Sequence, residues 1–184
     1  MVDDAEVTAW ALAAGRGDRR AAARFVAATQ DQVRRFLAAL ISEGEAEDLA
    51  QETFLRAVRS LPSFAGRSSA RTWLLSIARR VAVDHVRTSR PPTVPLPGGC
   101  EVADTVRGEF DRQVVVQRLI AGLPAERREA FVATQVLGLS YVEAAEVCGC
   151  PVGTIRSRVA RAREDLVAAM SDPRAGRKGD STAG

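Results

Sequence analysis

The chain has 184 residues, 46% of them hydrophobic and 27% charged, with a formal net charge of +3 and a pI near 9.1. That length suits one large or two small domains with a real core. No apolar run nears the ~20 residues of a membrane span, the acidic start MVDDAEVTAW lacks the basic end of a secretory leader, and three cysteines form no disulfide framework.

In chain order, Asp3 to Ala14 reads as a helix capped by Asp3 or Asp4. Gly15-Arg16-Gly17-Asp18 breaks it, and Asp18 caps the next. From Arg19 to Ile41, Ala22, Phe25, Val26, Thr29, Val33, Phe36, Leu37 and Leu40 recur at helical spacing. Ser42-Glu43-Gly44 is a turn. Glu45 to Leu61 is a third helix, with Ala46, Leu49, Ala50, Phe54, Ala57 and Val58 inward and Asp48, Gln51, Glu52, Arg56 and Arg59 outward. Pro62 ends it, and Phe64 to Ala70 is a loop of small and polar residues. Arg71 to Arg87 forms a fourth helix around Trp73, Leu74, Ile77, Ala78, Val81 and Val86.

Composition then shifts. Thr88 to Gly108 holds Pro91, Pro92, Pro95, Pro97, Gly98 and Gly99, the make-up of a flexible linker. Glu109 to Ala121 is again helical, and Leu123-Pro124 opens a helix to Leu137 with Pro at its first position. After Met170 the polar, Gly-rich tail reads as disordered. No strand pattern appears. The expected fold is all-α: two small helical domains, residues 1–89 and 109–171, joined by a linker over 90–108, with a tail over 172–184.

The segment from Gly138 to Leu166 carries the most information. Ser140 with Glu143 makes a capping box. Tyr141, Ala144, Ala145 and Cys148 share one face, and Gly149 stops the helix as a left-handed cap. Cys150 starts the next helix, with Pro151 at its first position. Two helices joined by a short Gly-containing break form a helix-turn-helix. In the second, Ile155, Val159, Ala162 and Leu166 form a core stripe; opposite lie Arg156, Ser157, Ala160, Arg161 and Glu164, flanked by Thr154, Arg158 and Arg163. Arginine bonds guanine through two atoms, serine adapts, and alanine permits close approach, so this face suits the major groove. A solvated helix would look the same in isolation; the capped helix and turn ahead of it favour DNA reading.

In order and spacing, four segments resemble the extracytoplasmic-function RNA polymerase sigma factors. They are Asp48-Leu-Ala-Gln-Glu-Thr-Phe-Leu-Arg-Ala57, Phe64-Ala-Gly-Arg-Ser-Ser-Ala-Arg-Thr-Trp-Leu-Leu-Ser-Ile-Ala78, Leu123-Pro124, and Gly138-Leu-Ser-Tyr141 through Cys150-Pro-Val-Gly-Thr-Ile-Arg-Ser-Arg-Val-Ala-Arg-Ala-Arg163. The resemblance covers nearly the whole chain before the tail. It implies a sigma2-like helical bundle over 1–89 and a sigma4-like helix-turn-helix domain over 109–171. It further implies a non-catalytic, cytoplasmic initiation factor that binds core RNA polymerase through its clamp helices and flap, recognises promoter −10 and −35 elements and helps to melt the duplex. A partner anti-sigma factor is compatible with the family; membrane insertion, cofactors and metals are not expected.

By the same resemblance, Asp48, Gln51, Glu52 and Leu55 dock on the polymerase, although Asp48, Gln51 and Glu52 would also suit a solvated acidic face. Arg56, Phe64, Arg67, Ser68, Arg71, Arg79, Arg80 and Arg87 serve the −10 strand, which needs basic grooves and stacking surfaces. For Trp73, core packing is favoured over stacking on bases. Thr154, Arg156, Ser157, Arg158, Ala160, Arg161 and Arg163 serve the −35 element, with Arg158 and Arg163 better placed for phosphates. Arg80 stands where many members carry Asn. Asn both donates and accepts whereas Arg only donates, so Arg80→Asn is expected to change −10 base preference more than polymerase affinity. Two rivals are disfavoured. A one-component repressor usually carries its DNA reader first, and here the reader is last; a helical enzyme would have one histidine and no ligand cluster to work with. Cys100, Cys148, Cys150 and His85 lack zinc spacing.

Overall fold

The computed structural model describes residues 3–89 and 110–171. The linker expected over 90–108, with Cys100, and the tail expected over 172–184 lie outside the described residues. Within them the chain is helical: α1 Asp4–Gly15, α2 Arg19–Leu40, α3 Glu43–Ser60, a 3-10 turn Leu61–Ser63, α4 Ala70–Ser89, α5 Phe110–Ala121, α6 Ala125–Phe131 continuing into a π-type turn Val132–Val136, α7 Tyr141–Cys148 and α8 Val152–Ser171.

The first four helices pack around Phe25, Phe36, Leu37, Leu74 and Leu75, all fully buried. Each side chain of this size contributes about 1.5–3 kcal/mol through burial. Asp18 accepts from the Arg20 and Ala21 N–H groups, so α2 starts where the aspartate predicts. Helix α3 begins two residues earlier than expected. Ser42 is its N-cap residue in extended conformation, and Glu43, Gly44 and Glu45 form the first turn. Two apolar residues expected inward point out: Val58 is 49% and Val86 47% exposed. Both sit at the margin of a stripe already filled by alanines and leucines. Trp73 is half-buried, its ring 4.8 Å from Phe64 and 6.5 Å from Phe25, as core packing predicts.

The later helices follow the expected pattern with three changes, at the start of α6, the end of α6 and the start of α8. Pro124 is the N-cap of α6 and not its first turn. The helix expected to run to Leu137 widens into the π-type turn, where the Leu137 N–H reaches back five residues to the Val132 carbonyl. Helix α7 shows the full capping box, with the Ser140 side chain accepting from the Glu143 N–H and the Glu143 carboxylate accepting from the Ser140 N–H. Gly149 has φ +63°, the left-handed geometry a helix C-cap requires. Helix α8 starts at Val152, one residue after Pro151.

The two halves close on each other. Helix α7 lies against α4, and α5 and α6 lie against the end of α2. Buried residues of both halves, among them Leu74, Ile77, Val132 and Leu139, belong to one continuous apolar core.

Candidate nucleic-acid interface

Helix α8 presents the face that the periodicity assigned to DNA. Ile155, Val159 and Ala162 are buried, while Arg156, Ser157, Ala160, Arg161 and Glu164 are exposed. Arg156 and Arg161 make no ion pair among the described residues. Thr154 is half-buried, and the Ser157 hydroxyl donates to the Thr154 carbonyl at 3.0 Å. The two flanking arginines are engaged within the fold. Arg158 pairs with Glu126 at 2.5 Å and approaches the Cys150 sulfur at 3.6 Å, and Arg163 donates to the Gln135 side chain at 2.8 Å. Each of these guanidiniums thus has part of its donor set committed within the fold.

The −10 set divides into free and engaged groups. Arg67, Arg80 and Arg87 are exposed and unpaired among the described residues, and Ser68 is half-buried. Phe64 stacks on Trp73 and is half-buried, so its ring is a packed wall and not a free platform. Arg56 holds Glu52 and Asp84, each at 2.7 Å; the Asp84 hydrogen bond, then that of Glu52, raises its pKa further. The structure thus joins Arg56, assigned to nucleic acid, to Glu52, assigned to polymerase.

Arg71 and Arg79 are taken by the second half of the chain. Arg79 forms an ion pair with Glu129, whose side chain is only 10% exposed. Burial pushes the Glu129 carboxyl above its ordinary range, and Arg79 only partly opposes that shift. Burial works against the Arg79 charge too, but the Glu129 hydrogen bond and charge outweigh it. Arg71 donates to the Leu137 carbonyl and lies 3.9 Å from Asp4. In the opposite direction, Arg128 donates to the carbonyls of Leu40 and Leu123, each at 3.1 Å. A helix C-terminus leaves carbonyls unpaired and favours a cation. Each half therefore supplies an arginine to a helix end of the other. Glu129 and Arg128 carried no sequence signal, because their role exists only once the halves meet.

A second surface lies between α2 and α3. A groove of about 740 Å³ has Val26, Phe54, Leu55 and Val58 along it and Gln51 and Arg34 among its polar residues. Leu55 is 55% exposed beside Val58. Asp48 and Gln51 are exposed on the same helix and Glu52 is half-buried. The apolar half of this surface was hidden from the periodicity, which turned Val58 inward.

Residues 25–91 match the family Sigma-70 region 2, and residues 113–166 match Sigma-70, region 4. The ECF RNA polymerase sigma factor SigC of Mycobacterium tuberculosis is 53% identical over 173 residues, spanning 90% of this chain and 92% of that protein. The chain belongs to the extracytoplasmic-function sigma factors. The ECF RNA polymerase sigma-E factor of Escherichia coli is 35% identical over 167 residues, covering 82% of this chain and 87% of that one. Among solved structures, CnrH in complex with the cytosolic domain of CnrY is similar with a TM-score of 0.71 and 26% identity, over 90% of this chain and 97% of that one. The sigma factor RpoE in complex with the anti-sigma factor NepR from Bartonella quintana gives 0.65 and 27%, over 82% and 96%. As a sigma factor this protein is a transcription initiation factor that directs RNA polymerase to promoters. None of its described helices is long and apolar enough to cross a membrane.

Proposed function

We propose that the chain divides the work of promoter recognition between residues 1–89 and 109–171, as a cytoplasmic factor without catalysis of its own. The groove between α2 and α3, with Asp48, Gln51, Glu52 and Leu55 along or beside it, receives the polymerase clamp helices. An apolar floor gives affinity and the acidic margin selects a basic partner. The loop from Phe64 and the start of α4, with Arg67, Ser68, Arg71, Arg79, Arg80 and Arg87, take the separated −10 strand, and Arg56 contacts its backbone. Helix α8 reads the −35 duplex through Arg156, Ser157, Ala160 and Arg161. Thr154, Arg158 and Arg163 support it at the backbone, and the flap meets the same domain.

The observation that carries this reading is the exposed Arg156–Ser157–Ala160–Arg161 face, whose two arginines make no ion pair among the described residues, opposite Ile155, Val159 and Ala162, which are buried to 0–1% exposure. A helix that is fully packed behind and free in front, with paired donors, is built to enter a groove. Engagement of Arg71 and Arg79 by Glu129 and Leu137 makes the closed chain a poor reader of the −10 strand. The polymerase therefore has to part the halves. The solved complex of the sigma factor RpoE with the anti-sigma factor NepR supports adding an anti-sigma factor to the partners.

Reconstituted transcription with core polymerase on a randomised promoter library tests the proposal. The expected result is selected starts with preferred sequences at both elements. Absence of start-site selection, or tight operator binding by the protein alone, would overturn it.

A further inference from the structure

We infer that α1 is a positioning element for −10 recognition, acting on the loop before α4 through Thr8. The inference rests on the assignment of that loop to the −10 strand. Three contacts fix the loop. At its middle, Gly66 has φ +66°, and the Leu12 side chain lies 3.5 Å from where a Cβ would stand. At its end, the Ala70 N–H donates to the Thr8 hydroxyl at 3.0 Å across 62 positions of chain, and that hydroxyl donates to the Asp4 carbonyl at 2.8 Å. One residue on, Arg71 lies 3.9 Å from Asp4. All three partners, Leu12, Thr8 and Asp4, belong to α1.

The chemistry makes Thr8 the decisive one. Ala70 is fully buried, so water cannot take over its N–H, and a buried donor without a partner is strongly disfavoured. Ser69 cannot replace Thr8. Its hydroxyl already accepts from the Thr72 N–H at 3.1 Å and donates to the Thr72 side chain at 2.9 Å. The first turn of α4 thus has two caps, one local and one borrowed from α1. The borrowed cap sets where Arg67, Ser68 and Arg71 stand relative to the α4 axis. The Sigma-70 region 2 match begins at residue 25, so α1 lies upstream of the residues from which that region is recognised.

The hydroxyl is a positioning group and need not touch DNA. Its loss should therefore separate −10 reading from the other functions. Thr8→Val keeps the shape and removes the hydroxyl; Thr8→Ser keeps the hydroxyl; Leu12→Ala removes the second contact. Each is assembled with core polymerase and measured for core affinity, −35 discrimination, and binding to single-stranded −10 oligonucleotides with the preferred or a substituted base.

Thr8→Val and Leu12→Ala are expected to lose roughly tenfold in −10 base discrimination. Core affinity and −35 discrimination should hold, and Thr8→Ser should behave as the parent. Retained core binding certifies that the bundle is folded. Unchanged −10 discrimination in Thr8→Val overturns the inference, as does parallel loss of core affinity and both readings, or failure of Thr8→Ser to rescue. If the parent itself shows no −10 discrimination, the loop assignment fails first.

Discussion

Cys148 and Cys150 are two positions apart and occupy different chemistries. Cys148 is buried on the inner face of α7, and its thiol is pushed up to about 12, chiefly by burial, with Glu129 and Cys150 adding to the shift. Cys150 is half-buried beside Arg158. At about pH 8, iodoacetamide should label Cys150 in the native protein and Cys148 only in denaturant, because the thiolate is the nucleophile. Peptide mapping by mass spectrometry reads this directly; equal native labelling would contradict the placement. Arg161 belongs to the same scale. Its side chain is exposed and unpaired among the described residues, so Arg161→Ala should cost about 1–3 kcal/mol on the preferred −35 sequence. The loss on scrambled DNA should be much smaller, which competition binding at fixed salt will show.

At the scale of elements, the termini of helices were readable wherever one residue type supplies the cap. Asp18, Ser140 and Gly149 act where their chemistry predicts. The ends that differed were the start of α3 after Ser42, the starts of α6 and α8 after their prolines, and the π-type turn after α6. The capping box also carries a pH signature. Burial raises the Glu143 carboxyl, but the Ser140 hydrogen bonds, the Arg71 charge and Thr72 together hold it below the ordinary glutamate value. Its contribution to stability is therefore present above about pH 4.3 and lost as pH falls through the lower folded value. Ser140→Ala should destabilise the fold by about 1 kcal/mol at neutral pH. Denaturant titrations should also show Glu143→Gln losing less stability than the parent on acidification. Identical acid profiles would remove Glu143 from the account.

At the scale of the molecule, the two halves trade arginines. Arg71 satisfies the Leu137 carbonyl and Arg128 the Leu40 carbonyl, while Glu129 holds Arg79. Truncating Glu129 leaves Arg79 without its carboxylate inside the contact. Glu129→Ala should weaken closure by about 1–3 kcal/mol, less than for a fully buried pair because Arg79 keeps 30% exposure. Small-angle scattering should register a larger radius of gyration, and the free protein should bind a −10 single strand more tightly. Unchanged dimensions and affinity would mean that the apolar contact of α7 with α4 holds the halves without this pair.

Helix content, the caps at Asp18, Ser140 and Gly149, the buried Ile155, Val159 and Ala162 of α8 and its outward arginines followed from the order of residues alone. Each depends on neighbours within about two turns, where the period of 3.6 residues and the geometry of a cap act. The fates of Arg71, Arg79 and the Ala70 N–H did not. These groups meet partners tens of residues away, and a local pattern cannot tell a solvated arginine from one that closes a distant helix end. Only the packed chain decides that, because a buried polar group has to find its partner in space.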